Sequence, residues 1–242
     1  MKVGLHFLST GVSFSDRYLT PIPDPRLYKD ASTILTHDID AQQDPIPCAS
    51  YEPGFPERQH PGGHYRGNGV DLQIDQEVIS YGNYSKTPPY RFTQCQRGAF
   101  GTGRRQHRKG ATISHLRRSY SFFMPDPSTT LGDEIAARIA DIVEYCHCDM
   151  LYFDGAERLQ GDHWYYNPKL VASFYRQISP ARRNHILYQA SSISHYSWHQ
   201  LSRYACADGY QDIKDNVNHA STQYPARFND FMPLDIGWYG IG

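Results

Sequence analysis

The chain has 242 residues, of which 24 are basic and 25 acidic, so its formal net charge is −1. A near-neutral chain of this length can bury a sizeable core, and its charge excludes a protein that binds nucleic acid through overall positive charge. It holds no apolar run near the roughly 18 residues that cross a bilayer, and residues 1–18 show no secretory signal, so we expect neither feature.

The first 115 residues read as strands and extended segments. The apolar run Val3–Ser9 predicts a buried strand, and the prolines at 21, 23 and 25 exclude a helix over 18–26. From residue 31 to 115, short alternating runs are separated by Gly, Pro and Asn clusters. This pattern predicts a small antiparallel β module with strands near 33–36, 70–75, 77–81 and 90–93.

The remaining residues, 116–242, alternate between helical and strand patterns. Apolar residues at helical spacing predict helices over 131–146, 168–178 and 197–205, and apolar runs predict strands over 149–154, 186–190, 207–212 and 234–239. Alternation of this kind favours a parallel sheet covered by helices.

Two parallel-sheet folds compete, and we favour the barrel. A doubly wound sheet would carry a glycine-rich loop after its first strand, and none follows Val3–Ser9. Polar residues after several strands are typical of the mouth of a (β/α)8-type (TIM) barrel. We therefore predict an incomplete (β/α)8-type barrel domain formed by 1–30 and 116–242, with the β module of 31–115 inserted into it. Only five barrel strands are evident where eight are needed: 3–9, 150–154, 185–190, 207–212 and 234–239.

Two carboxylates near the 149–154 strand are the candidate catalytic residues. Asp154 ends the strand, Gly155 follows it, and Glu157 lies in the next loop. Two carboxyl groups that flank one bond are the equipment of glycoside hydrolases, in which one attacks the anomeric carbon or activates water and the other protonates the leaving group. The alternative for Asp154 is a structural role in a turn, where Asp-Gly is common.

Several polar and aromatic residues are candidates for substrate binding. Aromatic rings stack against the apolar faces of sugars, and His, Arg and Asp hydrogen-bond to hydroxyl or carboxylate groups. The candidates near predicted strand ends and in the following segments are His6, His163, Trp164, Trp198, His199, Arg203, Asp208, Asp212 and Trp238. The alternative for the tryptophans is core packing.

The helix over 131–146 and the strand Tyr152-Phe-Asp-Gly155 resemble the alpha-L-fucosidase family. In that family a strand reading Trp-Phe-Asp-Gly carries the nucleophilic aspartate, so the resemblance implies this role for Asp154. The run Val3–Ser9 is similar to the family's Gly-Ile-Tyr-Tyr-Ser strand. The resemblance spans about 40 residues, with Tyr in place of Trp, and implies a glycoside hydrolase-like barrel.

The inserted module carries a second resemblance. Leu35–Pro47, Ile74–Tyr81 and Cys95–Thr102, followed by His107 and Gly110, are similar to a small β module of phage tail and baseplate proteins, whose Arg-Gly-x-x-Gly-Thr turn precedes a His and a Gly. This resemblance implies a structural or carbohydrate-contacting module. The turn Gly98–Gly103 lacks the Gly-Lys-Ser/Thr ending of a phosphate-binding loop.

Partners and cofactors follow from the remaining motifs. The basic run Arg104–Lys109 fits a solvated loop or a contact to an anionic polysaccharide, and we expect no nucleic-acid or membrane partner. Cys146-His147-Cys148 has no further ligands at a recognisable spacing, so we expect no metal and no cofactor.

The favoured function is therefore a glycoside hydrolase that acts on an oligo- or polysaccharide through Asp154. One alternative is a polysaccharide lyase that uses His199, Arg203 and Tyr204. The other is a non-catalytic carbohydrate-binding or scaffold protein, for which the missing barrel strands argue.

Overall fold

The computed structural model describes residues 2–8, 11–58, 69–119, 121–155, 166–191, 198–205 and 234–235. Contacts divide the chain into two units. The parallel unit comprises Met1–Ser9 and Gly132–Gly242, and the antiparallel unit comprises Thr10–Leu131. The module predicted for 31–115 lies inside the antiparallel unit.

The described residues form fourteen strands and three α-helices. The strands, in chain order, are β1 (Gly4–Leu8), β2 (Lys29–Ile34), β3 (Ile46–Pro47), β4 (Asp71–Ile74), β5 (Glu77–Ser80), β6 (Asn83–Tyr84), β7 (Arg91–Thr93), β8 (Thr112–Leu116), β9 (Arg118–Ser119), β10 (Phe122–Phe123), β11 (Met150–Asp154), β12 (Leu187–Ala190), β13 (Arg203–Ala205) and β14 (Leu234–Asp235). The helices are α1 (Leu131–Tyr145), α2 (Tyr166–Gln177) and α3 (Pro180–Arg183). Within the described part of the chain, none has the length and apolar character that crossing a membrane requires.

The parallel unit is built on one five-stranded sheet. Its strand order is β1-β11-β12-β13-β14, and each neighbouring pair is parallel. The predicted helix over 131–146 and the predicted strands over 149–154 and 186–190 are confirmed as α1, β11 and β12. Since the described strands follow one another in chain order, the sheet has no reversal of the kind that creates the ligand crevice of a doubly wound fold.

One face of this sheet is apolar and packs against the long helices. Ala136 and Val143 of α1 and Phe174 of α2 form a single buried cluster with Phe153 of β11 and Ala190 of β12. Alternate residues of a strand point to opposite faces of the sheet. The apolar face therefore carries the odd-numbered residues of β11, such as Phe153, and the even-numbered residues of β12, such as Ala190. The intervening residues, which include Tyr152, Asp154 and Gln189, lie on the other face.

The antiparallel unit contains three small sheets among its described residues. A four-stranded sheet has the order β2-β8-β4-β5, a three-stranded sheet the order β3-β7-β6, and β9 pairs with β10. Its core is a fully apolar cluster that includes Leu72, Phe92 and Ile113. The predicted strands near 70–75, 77–81 and 90–93 are confirmed as β4, β5 and β7.

The predicted (β/α)8-type barrel is wrong. The parallel sheet of the described residues has five strands and does not close, and the other sheets are antiparallel. The physical reason is chain length. Thr10–Leu131 forms the antiparallel unit and leaves about half of the chain for the parallel one, whereas a barrel of this type uses about 250 residues. Polar residues at strand ends are a property that open parallel sheets share with barrels.

The helix predicted over 197–205 is also wrong. Trp198–Gln200 forms a short 3-10 turn, and Arg203–Ala205 is the strand β13. The backbone of Ser202 donates a hydrogen bond to the carbonyl of Tyr188 on β12. Pairing with the sheet therefore overrides the local helical pattern of this segment.

Candidate functional site

The partly exposed carboxylate of Asp154 lies where β1 and β11 end side by side. The register pairs Leu8 with Asp154 and His6 with Tyr152. The Nε2 atom of His6 lies 3.1 Å from Oδ2 of Asp154. The backbone N–H of Gly155 donates to the other carboxylate oxygen at 2.9 Å. Two strands and one turn therefore hold Asp154 in a defined orientation.

The turn that follows Asp154 depends on glycine. Gly155 has a φ of 66°, in the left-handed region that residues with a β-carbon adopt at a cost. The chain therefore leaves the sheet immediately after the carboxylate. The side chains of His6 and Asp154 remain 50 % and 31 % exposed. A carboxylate that is oriented by two donors and still open to solvent can act on a bound molecule.

Two buried side chains continue the same face of the sheet away from Asp154. The ring of Tyr152 lies 5.1 Å from that of His6, and only 3 % of Tyr152 is exposed. Gln189 pairs in register with Tyr152 and is fully buried. We call His6, Tyr152, Asp154 and Gln189 together the polar face. Solvent exposure decreases along this face, from the partly exposed His6 and Asp154 to the fully buried Gln189.

Of the predicted site residues, the structure brings His6 and Asp154 together. His199 is exposed in the 3-10 turn, which also contains Trp198. The backbone of Arg203 pairs in register with Gln189 on the neighbouring strand. The other predicted site residues lie outside the described residues: Glu157, His163, Trp164, Asp208, Asp212 and Trp238.

Two residues of the polar face, Tyr152 and Gln189, are absent from the predicted site residues, and Gln189 is the one that the sequence signals. It occupies the middle of the strand Leu187-Tyr-Gln-Ala190, between Tyr188 and Ala190, which both belong to the apolar cluster. A long amide side chain inside an otherwise apolar strand of a parallel sheet was the available signal, because such strands are usually apolar on both faces.

The densest buried charge cluster lies in the antiparallel unit. The carboxylate of Glu77 is fully buried and receives five hydrogen bonds, from Arg97 (two), His107 and the backbone N–H groups of Gly98 and Arg105. Burial acts to raise the pKa of Glu77, but the hydrogen bonds from His107 and Arg97 outweigh it and lower the pKa to about 2. We call Glu77, Arg97 and His107 the ionic cluster.

This cluster explains the motif of the inserted module. Arg97 and Gly98 open the Arg-Gly-x-x-Gly-Thr turn, and both donate to Glu77. The Thr102 hydroxyl of the same turn accepts a hydrogen bond from the backbone of Val78 and donates to Ala99. Arg97, Gly98 and Thr102 of the turn are therefore engaged within the protein, where they hold the turn against Glu77 and Val78.

The basic run Arg104–Lys109 is partly neutralised. Arg108 forms an ion pair with Asp38 at 2.7 Å, and the backbone of Lys109 donates to the same carboxylate. His107, in the middle of the run, is buried and places its second ring nitrogen 2.8 Å from Asp75. Arg104, Arg105, Arg108 and Lys109 are all exposed.

The segment Cys146-His147-Cys148 ends helix α1. The backbone N–H of His147 donates to the carbonyl of Glu144, and that of Cys148 donates to Val143, while His147 has a φ of 51°. These bonds define a Schellman motif with His147 at the left-handed position. Among the described residues, no group of three or more His, Cys, Asp or Glu side chains is arranged to hold a metal ion.

Comparison with known protein families, with curated proteins and with solved structures finds no match to this chain.

Proposed function

We propose that the chain is a glycoside hydrolase and that Asp154 is its nucleophile or base. The observation that supports this proposal is the oriented, partly exposed carboxylate at the carboxyl ends of the parallel strands β1 and β11. A glycosidic bond is cleaved by carboxylates acting at the anomeric carbon and on the leaving-group oxygen.

The contacts of Asp154 give it a distinct role in that reaction. The backbone N–H of Gly155 donates to one of its oxygens and the ring of His6 lies within hydrogen-bond distance of the other, and we assign this held carboxylate the role of nucleophile or base. An ionised carboxylate attacks the anomeric carbon or removes a proton from water, and it does not protonate the leaving group. We assign proton donation to a second carboxyl group, and Glu157, three residues after Asp154 in the sequence, is the candidate.

His6 is a positioning residue in this proposal. Its imidazole N–H fixes one oxygen of Asp154, and the Gly155 N–H fixes the other. Such orientation contributes to catalysis because the reacting groups no longer have to be ordered in the transition state.

The test is hydrolysis of a panel of para-nitrophenyl glycosides, which includes the α-L-fucoside, and of oligosaccharides. We expect Asp154→Asn to lower kcat/KM by about a thousandfold or more, because it removes the nucleophile or base. Asp149→Asn is the matched control. Asp149 precedes the opposite end of the same strand, where it accepts a hydrogen bond from Val3, and asparagine can still accept that bond.

Equal activity of Asp154→Asn and Asp149→Asn would contradict the proposal. The lyase alternative is distinguished by its product, because elimination next to a uronate carboxylate creates a double bond that absorbs in the ultraviolet. Binding of a glycan without turnover by the wild-type protein would favour the non-catalytic alternative.

A further inference from the structure

We propose that Gln189 is a sugar-recognition residue, whose side-chain amide binds two adjacent hydroxyl groups of the glycan held at Asp154. This assignment names the ligand chemistry of the proposed hydrolase site and therefore rests on the proposed function. The observation behind it is that Gln189 is a fully buried polar side chain for which neither amide atom has a hydrogen-bond partner among the described residues.

An arrangement of this kind is costly in a folded protein. A buried donor or acceptor without a partner costs about 1–3 kcal/mol, and most buried polar side chains find partners. The other buried glutamine of the described chain shows the usual situation. The amide nitrogen of Gln73 donates to the carbonyls of Asp75 and Pro23, and only its oxygen has no partner. At Gln189 neither end of the amide has a partner among the described residues, so the assignment of oxygen and nitrogen does not affect the observation.

The location of Gln189 makes it part of the site. It lies on the strand next to β11, in register with Tyr152. Tyr152 is two residues before Asp154 and therefore points to the same face. With strands about 4.8 Å apart and a rise of about 3.3 Å per residue, the Cα atoms of Gln189 and Asp154 are separated by about 8 Å. That separation suits two groups that contact one sugar residue.

The chemistry of an amide matches a pair of neighbouring hydroxyl groups. The Gln189 oxygen accepts from one hydroxyl while its NH2 group donates to the next. Tyr152, between Gln189 and His6 on the same face, supplies an aromatic ring beside them. Solvent exposure decreases from the partly exposed Asp154 to the fully buried Gln189, so the reacting carboxylate lies near the surface and the recognition group lies deeper in the unit.

The experiment compares Gln189→Met with the wild-type protein, because methionine is similar in length and carries no group that requires a partner. Unfolding of the full chain is followed by calorimetry. We expect the midpoint to rise by about 2–4 °C, since an unsatisfied amide is removed. Gln73→Met is the matched control, and its midpoint should fall because two backbone carbonyls lose a donor.

Binding is measured in the Asp154→Asn background, so that no turnover occurs. The protein is applied to an array of neutral and acidic oligosaccharides, and the tightest glycan is then titrated by calorimetry. We expect Gln189→Met to weaken its binding about tenfold or more, as the loss of two hydrogen bonds implies, and Gln73→Met to leave binding unchanged.

The outcomes separate this assignment from the proposed function. If Gln189→Met weakens glycan binding and the wild-type protein shows no hydrolysis, the assignment of Gln189 is supported and the hydrolase proposal is contradicted. Hydrolysis by the wild-type protein, with glycan binding and KM unchanged in Gln189→Met, would overturn the assignment and leave the hydrolase standing. The absence of any bound glycan on the array would overturn carbohydrate as the ligand of this face.

Discussion

A buried carboxylate in the antiparallel unit and a buried amide in the parallel unit differ in how their hydrogen bonds are completed. In the antiparallel unit, Glu77 is fully buried and every donor around it comes from the protein itself. In the parallel unit, Gln189 is equally buried and both of its amide atoms lack a partner within the described part of the chain. A satisfied buried group stabilises its fold, whereas an unsatisfied one weakens its fold and is expected where a ligand completes the bonding.

This comparison distinguishes motifs that stabilise the fold from residues that are candidates for binding a ligand. The Gly-rich turn that begins at Gly98 and the basic run near His107 have the composition of ligand-binding loops. The structure ties both to Glu77. The amide of Gln189 is absent from the predicted site, yet neither of its polar atoms has a hydrogen-bond partner among the described residues.

The largest effect on stability is expected at the ionic cluster. Glu77→Gln replaces a fully buried carboxylate and leaves the guanidinium of Arg97 without its charged partner. We expect the antiparallel unit to lose about 3–5 kcal/mol of stability, as measured for broken buried ion pairs. Hydrogen exchange read by mass spectrometry should show faster exchange over 71–80 and 97–107, with exchange over 131–155 unchanged. Equal protection in variant and wild type would show that the cluster does not stabilise the unit.

The same cluster predicts how stability depends on acid. The pKa of Glu77 is lowered to about 2 in the folded unit from an ordinary value of 4.5. Because the folded pKa is the lower one, the stabilisation is complete above about pH 4.5 and is lost as the pH falls through about 2. The stability difference between wild type and Glu77→Gln, measured by urea unfolding, should therefore narrow across this range. A difference that stays constant down to about pH 2 would contradict the assignment of this acid sensitivity to Glu77.

A smaller effect, on the rate of catalysis, is expected when His6 is substituted. His6→Ala removes one donor to Asp154, and we expect kcat/KM to fall about 10- to 100-fold, as the loss of a charge-assisted hydrogen bond implies. His6→Gln retains a side-chain N–H and should recover part of the loss. Rates are measured on the best substrate of the glycoside panel. If both variants lose activity equally, hydrogen bonding to Asp154 is not the role of His6.

The smallest effect is expected at the end of α1. His147 occupies a left-handed position that glycine adopts without strain, and its side chain is exposed. We expect His147→Gly to stabilise the parallel unit by about 1 kcal/mol, seen as a higher unfolding midpoint. A lower midpoint would mean that the imidazole makes a contact worth more than the backbone strain.

The local elements were largely predictable, and their assembly was not. Apolar spacing identified α1, and the strand-end position and Asp-Gly turn marked Asp154, because these signals are local. The segment near Arg203 was misread as a helix because its pairing with β12 is decided by residues distant in sequence. The barrel was inferred from strand-end polar residues, although the length left after the antiparallel unit is about half of what that fold uses.

The proximity of His6 to Asp154 also depended on a long-range contact. The two residues are 148 positions apart, and their strands become neighbours only when the sheet forms. The lack of a partner for Gln189 among the described residues likewise emerges only when the unit is packed. Sequence patterns report which groups are present, whereas the completeness of their bonding emerges in three dimensions.

The most direct test of the central claim, that the polar face of the parallel unit is the glycan site, is a crystal structure of Asp154→Asn with the tightest-binding glycan of the array. The account predicts sugar hydroxyls within about 3.5 Å of both amide atoms of Gln189, with the anomeric carbon next to residue 154. A glycan bound elsewhere, with the Gln189 amide still untouched, would contradict it.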